Sequence, residues 1–131
     1  YIGEVGKAAT LKLAMNQLIA GLTSAFALSL GLVQREGLDV DQFMAVLRDS
    51  ALYAPTFDKK LKRMQQRHYA EPNFPVEHLL KDVHLMADAA RKDGLDASLM
   101  ATIARLLEQA EDRGLAQEDY SALFEAIAPH H

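Results

Sequence analysis

The stretch AATLKLAMNQLIAGLTSAFALSLGLV, residues 8–33, decides the fold. About 20 predominantly apolar residues are enough to span a bilayer, so its length and composition raise the question of a membrane. It also carries an ammonium, Lys12, and four positions later an amide, Asn16. A lysine at mid-helix costs roughly 2.5–3.5 kcal/mol on insertion, and Gln17, Thr23, Ser24 and Ser29 add polar load. The later helical segments are amphipathic in the soluble manner. The stretch therefore reads as a helix buried on nearly all sides, inside a helical domain or at a subunit interface, and not as a membrane span.

Outward from that helix, no segment alternates with period two, and helical periodicity recurs to the end. The first helix is expected from about Gly6 or Ala8 to Arg35, stopping at Gly37, a natural left-handed cap. Asp39 opens a second, with Gln42 completing a capping box and Leu38 stapling to Phe43; it ends near Ser50. Pro55 suits the first turn of a third, whose inner face carries Phe57, Leu61 and Met64. AEPNFP, residues 70–75, is a loop because its two prolines break any helix. A fourth helix from about Pro75 to Lys92 shows a continuous apolar stripe through Leu79, Leu80, Val83 and Ala87. A fifth uses Leu99, Met100, Ile103, Leu106, Leu107 and Ala110 and ends at Gly114; a short sixth turns Tyr120, Leu123, Phe124 and Ile127 inward. No repeat or linker interrupts the series. The fold class is all-α, one domain over residues 1–131, with about six helices around the long first one.

Composition narrows the function. The 131 residues are 50% hydrophobic and 24% charged, an ordinary soluble mix. A net charge of −4 argues against a partner built on a phosphate backbone, so no nucleic acid is expected. With no cysteine, disulfides, thiolate metal sites and cysteine nucleophiles are excluded. No signal peptide is visible, and the expected compartment is the cytoplasm or an organelle matrix. A chain that starts at Tyr1 without methionine reads as a mature product or a fragment, and His130 and His131 are given no role.

Lys12 and Asn16 stand four apart and project from one helix face. On a rigid buried helix such a pair can donate a proton or stabilise an oxyanion, because desolvation lowers a lysine pKa towards neutrality. The other reading is a lysine near the helix start whose head reaches solvent. Spacing alone leaves both open. Gly3-x-x-Gly6 is no dinucleotide fingerprint, since no strand precedes it and the glycine spacing is wrong. His78 and Asp82 share a helix edge but lack a third ligand, so no metal is expected. DKKLKRMQQRH, residues 58–68, holds five Lys or Arg against one Asp. It reads first as a solvated face and second as a patch that attracts anions.

Two segments carry a resemblance. GEVGKAATLKLAMNQLIAG, residues 3–21, resembles the junction motif of the β-hydroxyacid dehydrogenase (3-hydroxyisobutyrate dehydrogenase-like) family, roughly G-x-x-G-x-G-x-x-x-K-x-x-x-N. FPVEHLLKDVHLMADAA, residues 74–90, resembles that family's second signature, F-x-x-x-x-x-x-K-D-x-x-L-A. GLDVDQFMAVL and ALYAPTF look like the segments between them, and the nearest likeness is to the glyoxylate and succinic semialdehyde reductase branch. The resemblance implies a helical domain like the C-terminal domain of 6-phosphogluconate dehydrogenase. It also implies an N-terminal Rossmann domain, absent from this chain, that holds most of an NADP or NAD cofactor; the plant-like branch points to NADPH. The implied activity is reduction of a small aldehyde acid or oxidation of a β-hydroxy acid, with the isolated domain inactive and the protein a homodimer or higher homo-oligomer.

By the same resemblance Lys12 is the catalytic proton donor and acceptor, and Asn16 binds substrate beside it. Phe74 lines the pocket, Lys81 lies near the cofactor with Asp82 its neighbour, and Gly3 and Gly6 bring the helix close to substrate. The family's third glycine is replaced by Ala8. The alternatives are a non-catalytic helical oligomerisation module and an imine-reductase-like domain.

Overall fold

Glycines and prolines cut the chain where backbone chemistry requires. The computed structural model describes residues 3–130, with side chains from residue 6 onward. Its helices are α1 (Gly3–Arg35), α2 (Val40–Arg48), α3 (Pro55–Gln66), α4 (Val76–Lys92) and α5 (Ser98–Asp112). A single 3₁₀ turn, Tyr120–Leu123, then runs into a four-residue α6, Phe124–Ile127. The expected all-α class and long first helix are met. The sixth element starts as a 3₁₀ turn because the Asp119 side chain accepts from the Ser121 amide and caps it.

α1 ends as expected. Gly37 takes φ +73°, its N–H bonds Gln34 and that of Leu38 bonds Val33, so the last carbonyls are satisfied. α3 ends in the same hydrogen-bond pattern without a glycine: Arg67 adopts φ 49°, a strained choice for a residue with a Cβ. Its guanidinium offsets this by pairing with Glu125 at 2.7 Å and donating to the Ala128 carbonyl at 2.8 Å. At α2 the Asp39 carboxylate accepts from the Asp41 amide at 2.8 Å, while Leu38 remains 62% exposed and does not bury itself as a staple.

The core forms where α4 and α5 pack on each other and on the second half of α1. Leu30, Met44, Met64, Leu79, Leu107 and Phe124 are fully buried there. Phe26 of α1 stacks on Phe57 of α3 with ring centroids 5.0 Å apart. Gly31 lets the C-terminal segment close in, since a Cβ built at that position would lie 3.1 Å from the Ala128 Cβ. Leu99, expected inward, is exposed; the buried stripe of α5 runs through Met100, Ile103, Ala104 and Leu107, one position further round the helix.

α1 differs from expectation in its surroundings. It is long and apolar enough to cross a membrane by length and composition, yet Ala20, Thr23, Phe26, Ala27, Leu30 and Val33 are buried against other helices. The chain encloses only that stripe. Leu11, Met15, Leu18, Leu22, Leu28 and Leu32 all stay exposed, because the shorter helices reach one side of α1 and leave its first half largely uncovered.

Candidate active site

One hydrogen bond joins the two signature segments. Asn16 Nδ2 of α1 donates to Asp82 Oδ2 of α4 at 2.8 Å, across 66 residues of sequence. A carboxylate oxygen only accepts, so this contact fixes which way the amide faces and leaves the Asn16 Oδ1 for another donor. Lys12 lies one turn earlier on the same face of α1 and is exposed. Of the two readings that spacing left open, the one with its head in solvent holds within this chain, because no other described element covers this turn of α1. Lys81, next to Asp82, is also exposed. Gly3 and Gly6 lie in the opening turns of α1 as regular helix. His78 and Asp82 do not converge on a common point: Asp82 faces Asn16, and His78 Nε2 lies 3.8 Å from Glu77.

Phe74 is held more firmly. Its carbonyl accepts from the Tyr120 amide at 2.8 Å, its amide donates to Asp119 Oδ1 at 3.4 Å, and its ring meets Tyr120 edge-on at 6.1 Å. It forms part of the wall of a cleft of about 520 Å³ between α1, α3 and the 70–75 loop. Ile19 of α1 and Thr56, Lys59 and Lys60 of α3 complete much of that wall.

Sequence reasoning missed the most buried charges. Lys60 is 4% exposed and Asp119 is 0% exposed. The ammonium donates to both oxygens of Asp119, at 3.1 and 3.0 Å, and to Asn73 Oδ1 at 3.4 Å. Asp119 also accepts from Ser121 Oγ at 2.5 Å and from the Asn73 amide at 3.0 Å, with Arg63 Nε 3.9 Å away. Burial pushes the Asp119 pKa up, but the bonds from Ser121 and Lys60 and the Lys60 charge outweigh it and hold the carboxyl below its ordinary value. Tyr120, whose hydroxyl lies 3.2 Å from Thr23 Oγ1, is pushed up by burial. A signal was present: Lys60 stands three after Phe57 and four before Met64, on the inner stripe of α3. The solvated-face reading of residues 58–68 therefore fails at this position. Lys62 remains exposed.

Comparison with known proteins gives these features a context. Residues 6–127 match the family described as NAD-binding of NADP-dependent 3-hydroxyisobutyrate dehydrogenase. The chain is 32% identical over 127 residues to glyoxylate/succinic semialdehyde reductase 2, chloroplastic, of Arabidopsis thaliana, covering 97% of this chain and 35% of that protein. It is 28% identical over 126 residues to L-threonate dehydrogenase of Haemophilus influenzae, covering 95% of this chain and 41% of that protein. The crystal structure of 3-hydroxyisobutyrate dehydrogenase from Salmonella typhimurium superposes with a TM-score of 0.79 at 25% identity, over 88% of this chain and 40% of that one. The chain thus spans well under half the length of these proteins.

Proposed function

We propose, from the premise that this chain belongs to the NADP-dependent 3-hydroxyisobutyrate dehydrogenase family, that it is the helical substrate domain of an oxidoreductase acting on small aldehyde acids and their hydroxy acids. In the complete protein a Rossmann domain precedes it, and two or more copies associate. NADPH is the preferred cofactor, and the compartment is the cytoplasm or an organelle matrix. The observation that carries the reading is the Asn16–Asp82 bond, which draws the two signatures into one place with Lys12 a single turn away.

The nicotinamide, when bound, supplies or takes the hydride at the carbonyl carbon. This chain's residues manage the proton and the substrate. In reduction Lys12 Nζ gives a proton to the carbonyl oxygen as negative charge develops there, and its own charge stabilises that oxygen. In oxidation the amine takes the hydroxyl proton. Asn16, its amide turned by Asp82, hydrogen-bonds the substrate and holds it against the lysine. Phe74 gives the pocket an apolar wall. Lys81, an exposed cation on α4, fits the anionic cofactor at the domain boundary. The described residues contain no strand–turn–helix for a dinucleotide, so Lys81 with Asp82 would form only an edge of that site.

The test is Lys12→Ala in the complete protein, assayed by NADPH oxidation with glyoxylate and succinic semialdehyde. The expected result is a kcat lower by about 10²–10⁴-fold, the usual worth of acid–base help, with cofactor affinity nearly unchanged. A near-normal kcat would remove Lys12 as the proton donor.

A further inference from the structure

We infer that the outer face of α3 is a phosphate site, a basin that takes a phosphate dianion, free or as a small ester, outside the reaction cleft. The basin holds about 390 Å³ and is lined by Lys59, Lys62, Arg63 and Gln66 of α3, with His68 and Glu71 beyond the helix end. It shares only Lys59 with the cleft beside Phe74 and is independent of the reaction proposed above. Two observations carry it. First, positive charge gathers here in a chain whose net charge is −4. Lys62 and Arg63 stand three and four positions after Lys59, so like charges face one another, an unfavourable arrangement without a counter-charge. The chain supplies none. Asp58 is committed to Arg48 at 2.6 Å and to Tyr53, Glu71 is exposed at the rim, and Lys59 and Lys62 have no acidic partner among the described residues. Second, Arg63 is fixed in place: its side chain is 21% exposed and donates to the Ala70 and Glu71 carbonyls at 2.8 Å each. Those bonds use two of its five N–H groups and leave its charge uncompensated. Its Nε stands 3.9 Å from Asp119, beyond hydrogen-bond length, and Lys60 already holds that carboxylate. The ligand class follows from the count. Two unengaged ammoniums beside a fixed guanidinium match a dianion with several acceptor oxygens, whereas a monocarboxylate would leave one ammonium unmatched. Because Arg63 ties the carbonyls of residues 70 and 71 to α3, an anion held on it braces the loop that leads to Phe74.

The experiment titrates the 131-residue chain with sodium phosphate, followed by amide NMR and calorimetry, with sodium chloride and acetate at matched ionic strength as references. Phosphate should move the amides of Lys62, Arg63, Ala70 and Glu71 and reach saturation, while chloride and acetate should not. Lys62→Gln changes an exposed side chain and should weaken phosphate binding about tenfold, the loss of one charge-assisted hydrogen bond. Lys59→Gln should do the same, and Lys92→Gln, at an exposed lysine of α4, should leave binding unchanged. Glycerol phosphate separates the two sources: binding tighter than inorganic phosphate assigns the site to an ester, and weaker binding assigns it to the free ion. The site would be overturned by the lack of a saturable response, or by amide shifts scattered over the surface. A response that chloride or acetate reproduces, or that Lys92→Gln reduces as much as Lys62→Gln does, would overturn it equally. None of these results depends on whether the complete protein reduces an aldehyde.

Discussion

Asp119 has no exposed surface, yet it organises the wall that carries Phe74. It receives the Lys60 ammonium, the Ser121 hydroxyl and amide, and the Asn73 amide. Breaking a buried ion pair by removing one partner costs about 3–5 kcal/mol, because the remaining charge is left unpaired. Asp119→Asn should therefore destabilise the domain and loosen the 70–75 loop. A pH dependence follows with a definite sign. The folded-state pKa of Asp119 is depressed, so its contribution is complete above the ordinary carboxylate value near 3.9 and is lost as pH falls through the folded value. Asp58 acts in the same direction: hydrogen bonds from Arg48 and Tyr53 lower it to about 2. Urea titrations followed by circular dichroism should give a wild-type midpoint that drops steadily below about pH 4. Asp119→Asn should start lower at neutral pH and drop less. Parallel curves for the two proteins would assign the acid sensitivity elsewhere.

α1 is the element whose environment this chain leaves unfinished. Leu11, Met15, Leu18 and Leu22 follow each other at intervals of four, three and four, the seam spacing of packed helices, and all are exposed. Leu28 and Leu32 form a second exposed pair near the α6 end. Apolar rows of this length are rarely left bare on soluble monomers, and a two-fold partner offering the same rows would cover them. Light scattering on the chain at micromolar concentration should report a dimer or larger, and Leu18→Glu with Leu28→Glu should shift it towards monomer. A monomeric wild type would remove the self-association proposal. The helix ends were largely legible, because Gly37, Gly94 and Gly114 each take positive φ at a C-terminus and the prolines stand at breaks. What lay beyond reach were facts that depend on another element. Helical phase places Lys60 on the inner stripe of α3, but the partner that makes its burial tolerable, Asp119, stands 59 positions later and no local pattern announces it. Spacing left Lys12 open between a buried surface and a head that reaches solvent, because local hydrophobicity does not say which side of a helix its neighbours cover.

At the scale of the whole molecule, the pairing of Asn16 with Asp82 brings the two signatures together across 66 residues of sequence. The resemblance had named both residues; their direct contact was not readable from spacing, since it depends on how α4 crosses α1. On the proposed reading, the groups so gathered cover only part of a redox site. Lys12, one turn from Asn16, and Lys81, next to Asp82, are exposed cations, and the described elements are all helical, with no strand followed by a phosphate-binding turn. Tight binding of a dinucleotide requires backbone N–H groups converging on its pyrophosphate, commonly at a glycine-rich turn opening a helix. The purified 131-residue chain is therefore predicted to leave NADPH and NADH unoxidised with glyoxylate or succinic semialdehyde, at rates equal to the blank. Joined in a single polypeptide to the Rossmann domain proposed to precede it, the chain should turn over, and Lys12→Ala in that protein should abolish most of the activity. Robust turnover by the helical chain alone would mean that it holds a complete cofactor site, and the two-domain reading would have to be abandoned.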